Sequence, residues 1–530
     1  MKTESQTQST GENPNEQLRV ATLEELQNLP NVADKLPGRV WLACLIAAAE
    51  RFSFYGVQSM FHIRKTENSI QYGLSDRIPG VLGLGEATAT RINYAFTTIV
   101  YLLPMLTGAV ADGWWGRYRM IKWSTGVYLI GLATMLLTSI PPAMEAGAGP
   151  AGFITGLVLI AIGLGGCQST IVPFIADQYD EVSSRIQVTQ KGERVVITRD
   201  QTLTYIYSVY FWMLNVGSLS SIATTVLEEK VGFWAAYIVS FTCMLLSVIL
   251  LQIGDKTFVQ TPPSGTVLPT ACKVVGCSIK NGFKLKASSP AYQKAVYNQT
   301  VPWTEEFHAG ICSGFKAVKV CCAWPALWLC IGQASSNGIS QAAQMQTMGI
   351  PNDAIKTSNA IALVILGIAV QKVLYPALER RKIQFKPMAR ITVGLLFMTL
   401  GLAYGTAVQA MIYHAGPCYQ YPTECEASDH RLPNHVNVFV TLPMYVLIAL
   451  AEIFAFITGN EYAYKQAPKD MKSVVQSIYA LMTAIGSILG IAFSPLSHNP
   501  LLLVSWGLVT GIMFVVTCLF WVIFHKYDRR

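Results

Sequence analysis

Long apolar runs recur along nearly the whole chain and are separated by short polar connections. A run of about 20 apolar residues can cross the hydrocarbon core of a bilayer as a helix. Lipid cannot hydrogen-bond exposed backbone groups, which leaves helices as the natural reading of such runs. The sequence therefore predicts an all-α membrane protein with twelve transmembrane helices, near 39–60, 91–111, 117–139, 151–175, 203–226, 232–253, 315–338, 359–378, 391–413, 437–459, 474–493 and 501–524.

Composition supports this class, because 52% of the 530 residues are hydrophobic and only 13% are charged. A soluble domain is usually about a quarter charged. The net charge of +8 could indicate an anionic partner. However, Lys and Arg concentrate in alternate connections, mainly 117–119, 254–314 and 380–390. This bias follows the positive-inside rule and predicts that both termini are cytosolic, in a plasma-membrane protein; the 61–90 connection fits it least well.

The connections also predict how the chain is divided. We expect a disordered cytosolic tail over 1–38, a six-helix bundle over 39–253, a cytosolic linker over 254–314, a second six-helix bundle over 315–524 and a cytosolic tail over 525–530. Two six-helix bundles joined by a long linker are the layout of the major facilitator fold. In that fold the substrate site lies between the halves, near the bilayer midplane.

Two features place ionisable groups inside the apolar runs. Glu50 and Arg51 are adjacent in the first run, and Glu452 lies alone in the tenth. A charge at the bilayer centre costs about 2.5–3.5 kcal/mol even on insertion scales, so such groups face a protein interior or a water-filled path. An isolated buried carboxylate must be protonated, paired or ligand-bound. These residues predict a transport pathway.

Other function classes fit the sequence less well. The seven histidines form no metal-site pattern, and no serine stands in a nucleophile elbow, which argues against an enzyme. The buried acids are single and form no rings, which argues against a pore. A sensor would need larger signalling segments than the linker and tails provide. We therefore expect no cofactor, no metal and no nucleic-acid partner, and a monomer in the lipid bilayer.

Two of the cysteines fall in the 414–436 connection, which the predicted topology places outside the cell. They are Cys418 and Cys425. Disulfides persist in oxidising compartments, so this pair is a candidate disulfide, with two free thiols as the alternative.

A tight turn follows the second predicted helix. It contains Gly108, Asp112, Gly116 and Arg117 in a Gly-x-x-x-Asp-x-x-x-Gly-Arg pattern. Small residues let helix ends approach closely, and an Asp and an Arg on such a turn can bridge neighbouring helices. We predict a cytosolic gate loop built on Asp112 and Arg117. The pattern resembles the loop signature of major facilitator transporters.

Together with this loop, four stretches resemble the fungal branch of the proton-dependent oligopeptide transporter family. They are residues 50–56, 165–178, 210–219 and 459–473, and they extend the resemblance over nearly the whole chain from about residue 39. The resemblance implies inward transport of di- and tripeptides driven by a proton gradient. It also implies that Glu50 and Arg51 couple protons, because a carboxylate beside a guanidinium can exchange its ion pair for a proton. A static structural ion pair is the alternative.

The same resemblance implies a substrate site. Tyr55, Tyr101 and Asn215 match residues that contact the peptide backbone, and Glu452 matches the acid that receives the peptide's amino terminus. Interfacial aromatic rings are the alternative for the two tyrosines, and an interhelical hydrogen bond is the alternative for Asn215.

Four positions depart from the family pattern, namely Ala47, Phe54, Gln58 and Gln168, and two of them matter most. Ala47 stands where the family has a glutamate, and Gln168 stands where the fourth helix has a lysine. One acid and one base are thus replaced together by uncharged residues. Losing only one of them would leave the other as a buried charge without a counter-charge. Gln168 can still donate two hydrogen bonds to a substrate but supplies no Coulomb attraction. Three functions stay open: peptide uptake with altered coupling, transport of a less charged metabolite, or export of a secondary metabolite.

Overall fold

The computed structural model describes residues 31–58, 86–181, 183–188, 194–263, 267–282, 284–348, 355–381, 385–422, 433–459 and 472–529, with isolated residues besides. Within these ranges twelve long helical segments follow one another in the predicted order. They are α1 Gly38–Gln58, α2 Glu86–Val110, α3 Arg117–Thr138, α4 Gly149–Asp177, α5 Arg199–Ser218 with its continuation Ser220–Lys230, α6 Phe233–Ile253, α7 Trp324–Ala343, α8 Thr357–Ala369 with Val370–Leu374 and Tyr375–Arg380, α9 Pro387–His414, α10 Leu442–Ala451 with Glu452–Ile457, α11 Lys472–Phe493 and α12 Leu502–Phe524.

Shorter elements complete the described structure. One-turn or two-turn helices are Ala111–Trp115, Pro141–Glu145, Leu285–Ser288, Cys321–Ala323, Val438–Thr441, Ser494–Leu496 and His525–Arg529. Five short strands are β1 Asn31–Val32, β2 Arg185–Val188, β3 Arg194–Ile197, β4 Met345–Gln346 and β5 Asn434–Asn437. Proline occupies the first turn of α4, α7, α9 and α10, where its missing N–H costs nothing. The all-α prediction is confirmed.

Among the described residues, ten helices are long and apolar enough to span a membrane. The two long helices outside this group are α5 and α7, and both carry more polar side chains. In α5 these include Asn215 and Ser218, and in α7 they include Gln333, Asn337 and Gln341. In a membrane such groups are stable only when they face the protein interior.

A belt of large apolar side chains is exposed on the outer surface of the helices. On a protein in water an exposed apolar surface of this extent would bind or aggregate. On helices long and apolar enough to span a membrane, such a surface is the expected one, and strongly exposed members include Leu106, Leu137, Ile154, Ile253, Ile365 and Val522.

Close helix approach at glycine organises the first half. A Cβ atom on Gly131 of α3 would lie 2.9 Å from the carbonyl oxygen of Gly156 in α4 and 2.9 Å from the backbone nitrogen of Ile160. Without side chains at these points, the two backbones pack in direct contact, as small residues allow in membrane helices. The buried cores around Tyr128 in the first half and Trp506 in the second half lie inside each helical bundle.

In its described part, the linker between the halves contains three α-helices besides the one-turn helix Leu285–Ser288. They are Val267–Lys280, Pro290–Tyr297 and Glu305–Val320, and a small core of Ala271, Val274, Trp303 and Ile311 joins the first to the third. Ser289 and Thr304 cap the second and third helices by accepting backbone N–H bonds from Tyr292 and Phe307. The predicted start of the seventh segment at 315 is wrong, because residues 315–320 belong to the third linker helix and α7 begins at Trp324. The third linker helix is amphipathic, and its apolar residues lengthened the apolar run from which the seventh segment was predicted.

The end of the predicted disordered tail is ordered. β1 pairs in parallel with β3, and β3 pairs antiparallel with β2, so the chain before α1 joins the connection between α4 and α5. Asp34 forms an ion pair with Arg185 and accepts a hydrogen bond from Tyr179 at 3.0 Å. Burial alone would raise the pKa of Asp34, but these hydrogen bonds hold it below its usual value. Residues 1–24 of the predicted tail lie outside the described residues.

The α3–α4 contact yields a stability prediction. Gly131→Ala places a methyl group against the α4 backbone and should lower the free energy of unfolding by about 1–3 kcal/mol. Gly126→Ala on the same helix is the matched control, because a Cβ there meets nothing within 4 Å. Alanine favours a helix over glycine, so the control should melt at or above the wild-type temperature. Thermal unfolding of the purified proteins in detergent measures both; equal melting temperatures would contradict the close approach.

Candidate functional site

A cavity of about 190 Å³, lined by both polar and apolar side chains, lies between the two halves of the chain. Its lining comes from α1, α2 and α5 of the first half and from α7, α8 and α10 of the second. The described lining residues are Tyr55, Gln58, Asn93, Ser218, Ser221, Ile331, Ala334, Ser335, Lys356, Thr357, Asn359, Ala360, Tyr445 and Ile448. A cavity with hydrogen-bonding groups from both halves is where a carrier of this layout binds its substrate.

The Glu50–Arg51 pair lies within the first half. Glu50 is 2% exposed and Arg51 is 6% exposed, and the Glu50 Oε2 atom lies 2.9 Å from Arg51 Nε. The Arg51 guanidinium also lies 5.5 Å from the centre of the Phe54 ring, a cation–π distance. α5 passes closely here, because a Cβ on Gly217 would lie 3.1 Å from the Arg51 Cβ. The charges are therefore buried against α5 and compensate each other.

Tyrosine hydroxyl groups surround this ion pair. Tyr55, Tyr101 and Tyr210 lie near enough to the Arg51 guanidinium to interact with its charge. Gln168 lies within hydrogen-bonding reach of the Tyr101 hydroxyl. The structure thus places Gln168, one of the positions that differ from the family pattern, beside the tyrosines near Arg51. Tyr210 also belongs to this group, although the sequence analysis gave it no role.

Glu452 lies in the second half, at the start of the π segment Glu452–Ile457. Its Oε1 accepts a hydrogen bond from the Asn359 Nδ2 of α8 at 2.9 Å. π segments often occur at functional sites because they reorient side chains on a helix. Tyr55 lines the cavity and is within electrostatic range of both Glu452 and Arg51.

The Asn215 side chain makes a hydrogen bond within its own helix, and its contact with the substrate backbone stays a prediction. Its Nδ2 donates to the Phe211 carbonyl oxygen of its own helix at 2.8 Å, and the side chain is half-buried. An amide in this position satisfies a donor locally and leaves its oxygen available to another partner.

The halves touch across the predicted outer end of the cavity. Arg91 of α2 donates to the Ser494 hydroxyl at 2.9 Å, and the hydroxyl groups of Ser221 and Thr357 lie 2.8 Å apart. The Tyr94 ring packs against Gly332 and Gly490, where a Cβ would lie 2.7 Å and 2.4 Å from its Cε1. These contacts join α2 and α5 to α7, α8 and α11.

The predicted gate loop is an ion-pair bridge. Arg117 Nε lies 3.2 Å from Asp112 Oδ1, and its Nη1 lies 2.7 Å from Asp177 Oδ2 at the end of α4. Thr261 donates a further hydrogen bond to Asp177 at 3.0 Å. Gly116 has a φ of 81°, which favours glycine, and this turn lets Arg117 begin α3. Asp177 lies within the stretch 165–178 that resembles the family, but its role is visible only in the structure.

A ladder of buried side-chain amides joins α7 to α9. Gln341 Nε2 donates to the Gly405 carbonyl oxygen at 3.0 Å and to Gln409 Oε1 at 3.1 Å. Gln409 then donates to Gln344 at 2.8 Å, and Gln344 donates to Asn499 at 3.0 Å. Sequence reasoning missed this ladder.

A second group of amides continues it along α7. Asn337 Nδ2 donates to Gln333 Oε1 at 2.9 Å and to the Ser505 hydroxyl at 3.1 Å, and Ser497 donates to Asn337 at 3.0 Å. The spacing of residues 333, 337 and 341 by four places these amides on one face of the helix. That spacing is the signal that could have revealed them.

The candidate disulfide is described only in part. Cys418 is disulfide-bonded, and Cys425 lies outside the described residues. The Cys418–Cys425 pairing stays a prediction.

Comparison with known proteins gives the class and then the family. The crystal structure of the POT family transporter PepTSo superposes with a TM-score of 0.72 at 19% identity, covering 94% of this chain and 99% of that one, which shows a membrane transporter fold. Residues 118–504 match the POT family. The peptide transporter PTR2 of Saccharomyces cerevisiae is 37% identical over 96% of this chain and 82% of its own length, and the peptide transporter PTR_A of Candidozyma auris is 35% identical over 97% and 85%. The chain belongs to the POT family.

The buried ion pair predicts strong coupling between its members. Arg51→Gln leaves Glu50 buried without a counter-charge and should cost about 3–5 kcal/mol of stability. The double variant Glu50→Gln/Arg51→Gln should be more stable than Arg51→Gln, because both charges are gone. Arg39→Gln is the control, since its partner Asp180 is 58% exposed and such pairs contribute at most about 1 kcal/mol.

Melting temperatures of the wild type, Arg51→Gln, Glu50→Gln and the double variant in detergent provide the double-mutant cycle, with Arg39→Gln measured beside them. Losses of stability that simply add in the double variant would show that the two charges do not depend on each other.

Proposed function

We propose that this protein is a proton-coupled symporter of di- and tripeptides or closely related small molecules, working by alternating access. The observation that carries the proposal is the cavity between the halves, with the Glu452–Asn359 pair on one side and Tyr55 beside the Glu50–Arg51 pair on the other. The relatives named above are peptide transporters, which supports peptide as the substrate. Export of a secondary metabolite is not favoured by them.

Glu452 binds the substrate's amino group in this proposal. A carboxylate held by one amide retains acceptor capacity for an ammonium group, and a charge-assisted hydrogen bond is about twice as strong as a neutral one. Asn359 orients the carboxylate from α8. Tyr55 and Tyr101 supply hydrogen-bonding groups for the peptide backbone, as their placement near the ion pair or cavity allows. Asn215 is assigned the same role from the family resemblance of its motif.

Proton coupling uses the Glu50–Arg51 pair. Protonation of Glu50 removes its charge and leaves Arg51 without a counter-ion in a buried position. The guanidinium must then find another partner, either the surrounding tyrosines or a substrate carboxylate. Because Gly217 of α5 packs on Arg51, such a shift changes how α1 packs on α5.

Alternating access requires the outer contacts to break and form again. In the described conformation Arg91–Ser494 and Ser221–Thr357 hold the halves together at the predicted outer end. The Arg117 bridge to Asp112 and Asp177 stays within the first half and keeps α2, α3 and α4 together as that half rocks. We place the protein in the plasma membrane as a monomer with both termini in the cytosol, which the distribution of Lys and Arg supports.

Removing the Glu452 charge tests the site. Glu452→Gln should abolish uptake of a labelled dipeptide into cells that lack their own carrier, because the amide cannot pair with the substrate's ammonium. Wild-type uptake should rise at acidic external pH and stop when a protonophore is added. Glu145→Gln, which changes an exposed acid of a connection, is the matched control and should transport normally. Full uptake by Glu452→Gln at normal surface expression would refute the assignment.

A second test concerns position 168, where this chain has a glutamine in place of the family's lysine. Gln168→Lys adds a cation beside Tyr101 and the Arg51 cluster, so it should shift preference toward substrates with more negative charge. The measurement is competition of neutral and acidic dipeptides against a labelled reporter peptide. Identical competition profiles in the variant and the wild type would show that position 168 does not contribute to substrate selection.

A further inference from the structure

Three exposed tryptophans lie at the junction of α2 and α3. Trp114, Trp115 and Trp123 are 74%, 43% and 52% exposed, and the rings of Trp115 and Trp123 meet edge to face with their centroids 5.9 Å apart. An indole ring has a large apolar face and an N–H donor, so such rings gather where the hydrocarbon of a bilayer meets its head groups. The proposed topology places this junction at the cytosolic end of both helices. The three rings are therefore expected at the inner interface of the membrane.

Two exposed cations stand among these rings. Arg119 lies one turn before Trp123 on the same face of α3, and Lys122 directly precedes Trp123. Trp115 lies four positions before Arg119, and its ring reaches Trp123 on the far side of that residue in the sequence. The positive charges and the aromatic rings therefore share one surface of the protein.

The described structure does not neutralise the charge of these two cations. Asp112 and Asp177, which meet at this junction, both bind Arg117, at 3.2 Å and 2.7 Å. Neither Arg119 nor Lys122 forms an ion pair with another described residue. Their positive charge is available to a negatively charged group outside the protein.

The same face of α3 continues as an apolar stripe. Ile130 follows Trp123 by seven residues, which returns to the same side of the helix, and its side chain is 59% exposed. It lies about 10 Å farther along the helix axis than Trp123, within the roughly 15 Å that the acyl chains of one leaflet occupy. Cations, aromatic rings and an aliphatic side chain thus follow one another in the order of the head group, glycerol region and acyl chain of a phospholipid.

We propose that the surface formed by Trp115, Arg119, Lys122, Trp123 and Ile130 binds an anionic phospholipid of the inner leaflet. The two cations bind its phosphate and its net negative head group, and the indole rings lie at the level of its glycerol esters. A zwitterionic lipid fits less well, because its own cationic group is repelled by the second positive charge. Anionic lipids carrying serine or inositol head groups concentrate in the cytoplasmic leaflet. This lipid site lies outside the substrate cavity and does not depend on what the protein transports.

The test uses the full-length protein in phosphatidylcholine vesicles that contain increasing fractions of phosphatidylserine with brominated acyl chains. Bromine quenches tryptophan fluorescence only at short range. Wild-type protein should be quenched at lower fractions of brominated phosphatidylserine than of phosphatidylcholine with the same chains. Arg119→Gln and Lys122→Gln should each raise the phosphatidylserine fraction needed for half-maximal quenching about fivefold, because one cation at a charged bilayer surface changes binding by about that factor.

Two further variants locate the effect. Trp115→Phe/Trp123→Phe should lose the part of the quenching that is selective for phosphatidylserine, since these rings lie at the proposed site. Lys286→Gln/Lys294→Gln is the matched control for Arg119→Gln/Lys122→Gln, because it removes the same charge from exposed positions of the linker and should keep the wild-type curve.

Three outcomes would overturn the proposal. The first is equal quenching of the wild type by the two brominated lipids, and the second is a wild-type phosphatidylserine curve for Arg119→Gln/Lys122→Gln. The third is an equal loss in the linker variant, which would assign the preference to net charge instead of to this surface. The melting temperature of each variant in detergent separates misfolding from lost binding.

Discussion

Polar groups in this chain must be satisfied by other protein groups, because the surrounding hydrocarbon offers no hydrogen bonds. The buried Glu50–Arg51 ion pair is the strongest case, since each charge is stable at that depth only beside the other. The same constraint accounts for the Glu452–Asn359 contact and for the amide ladder of α7. The polar residues of α5 and α7 therefore mark the interior of the protein and the wall of its cavity.

The two halves contribute different chemistry to the site. The first half supplies the compensated ion pair and a group of tyrosines, and the second half supplies Glu452 with Asn359. The amide ladder ties α7 to α9, which favours movement of the second half as one body. Among the described residues, the polar contacts at the predicted outer end are single hydrogen bonds, and the Tyr94 ring packs beside them against Gly332 and Gly490. Each such hydrogen bond contributes only about 0.5–1.5 kcal/mol, so breaking them leaves both cores intact.

Much of the architecture was predictable because membrane helices can be recognised from the length and apolarity of their sequence segments. Eleven of the twelve predicted segments correspond to the described helices with small shifts of their ends, and the seventh was misplaced at its start because the third linker helix is itself partly apolar. The ordered β1 strand was missed because two residues leave no periodic pattern, and their pairing partner lies more than 160 residues away. Glu50, Arg51 and Glu452 were conspicuous because charge is rare in apolar runs.

The sequence by itself determined the class of protein, the order of its helices and the few ionisable groups inside them, because hydrophobic length and isolated charge are local properties of a chain. Only the tertiary structure decided which groups meet. Asn359 reaches Glu452 across 93 positions, Arg117 reaches Asp177 across 60, and Lys356 enters a cavity shared with α1 and α5. Such pairings depend on how helices pack, and packing is set by side-chain shape and close approach along the whole length of each helix.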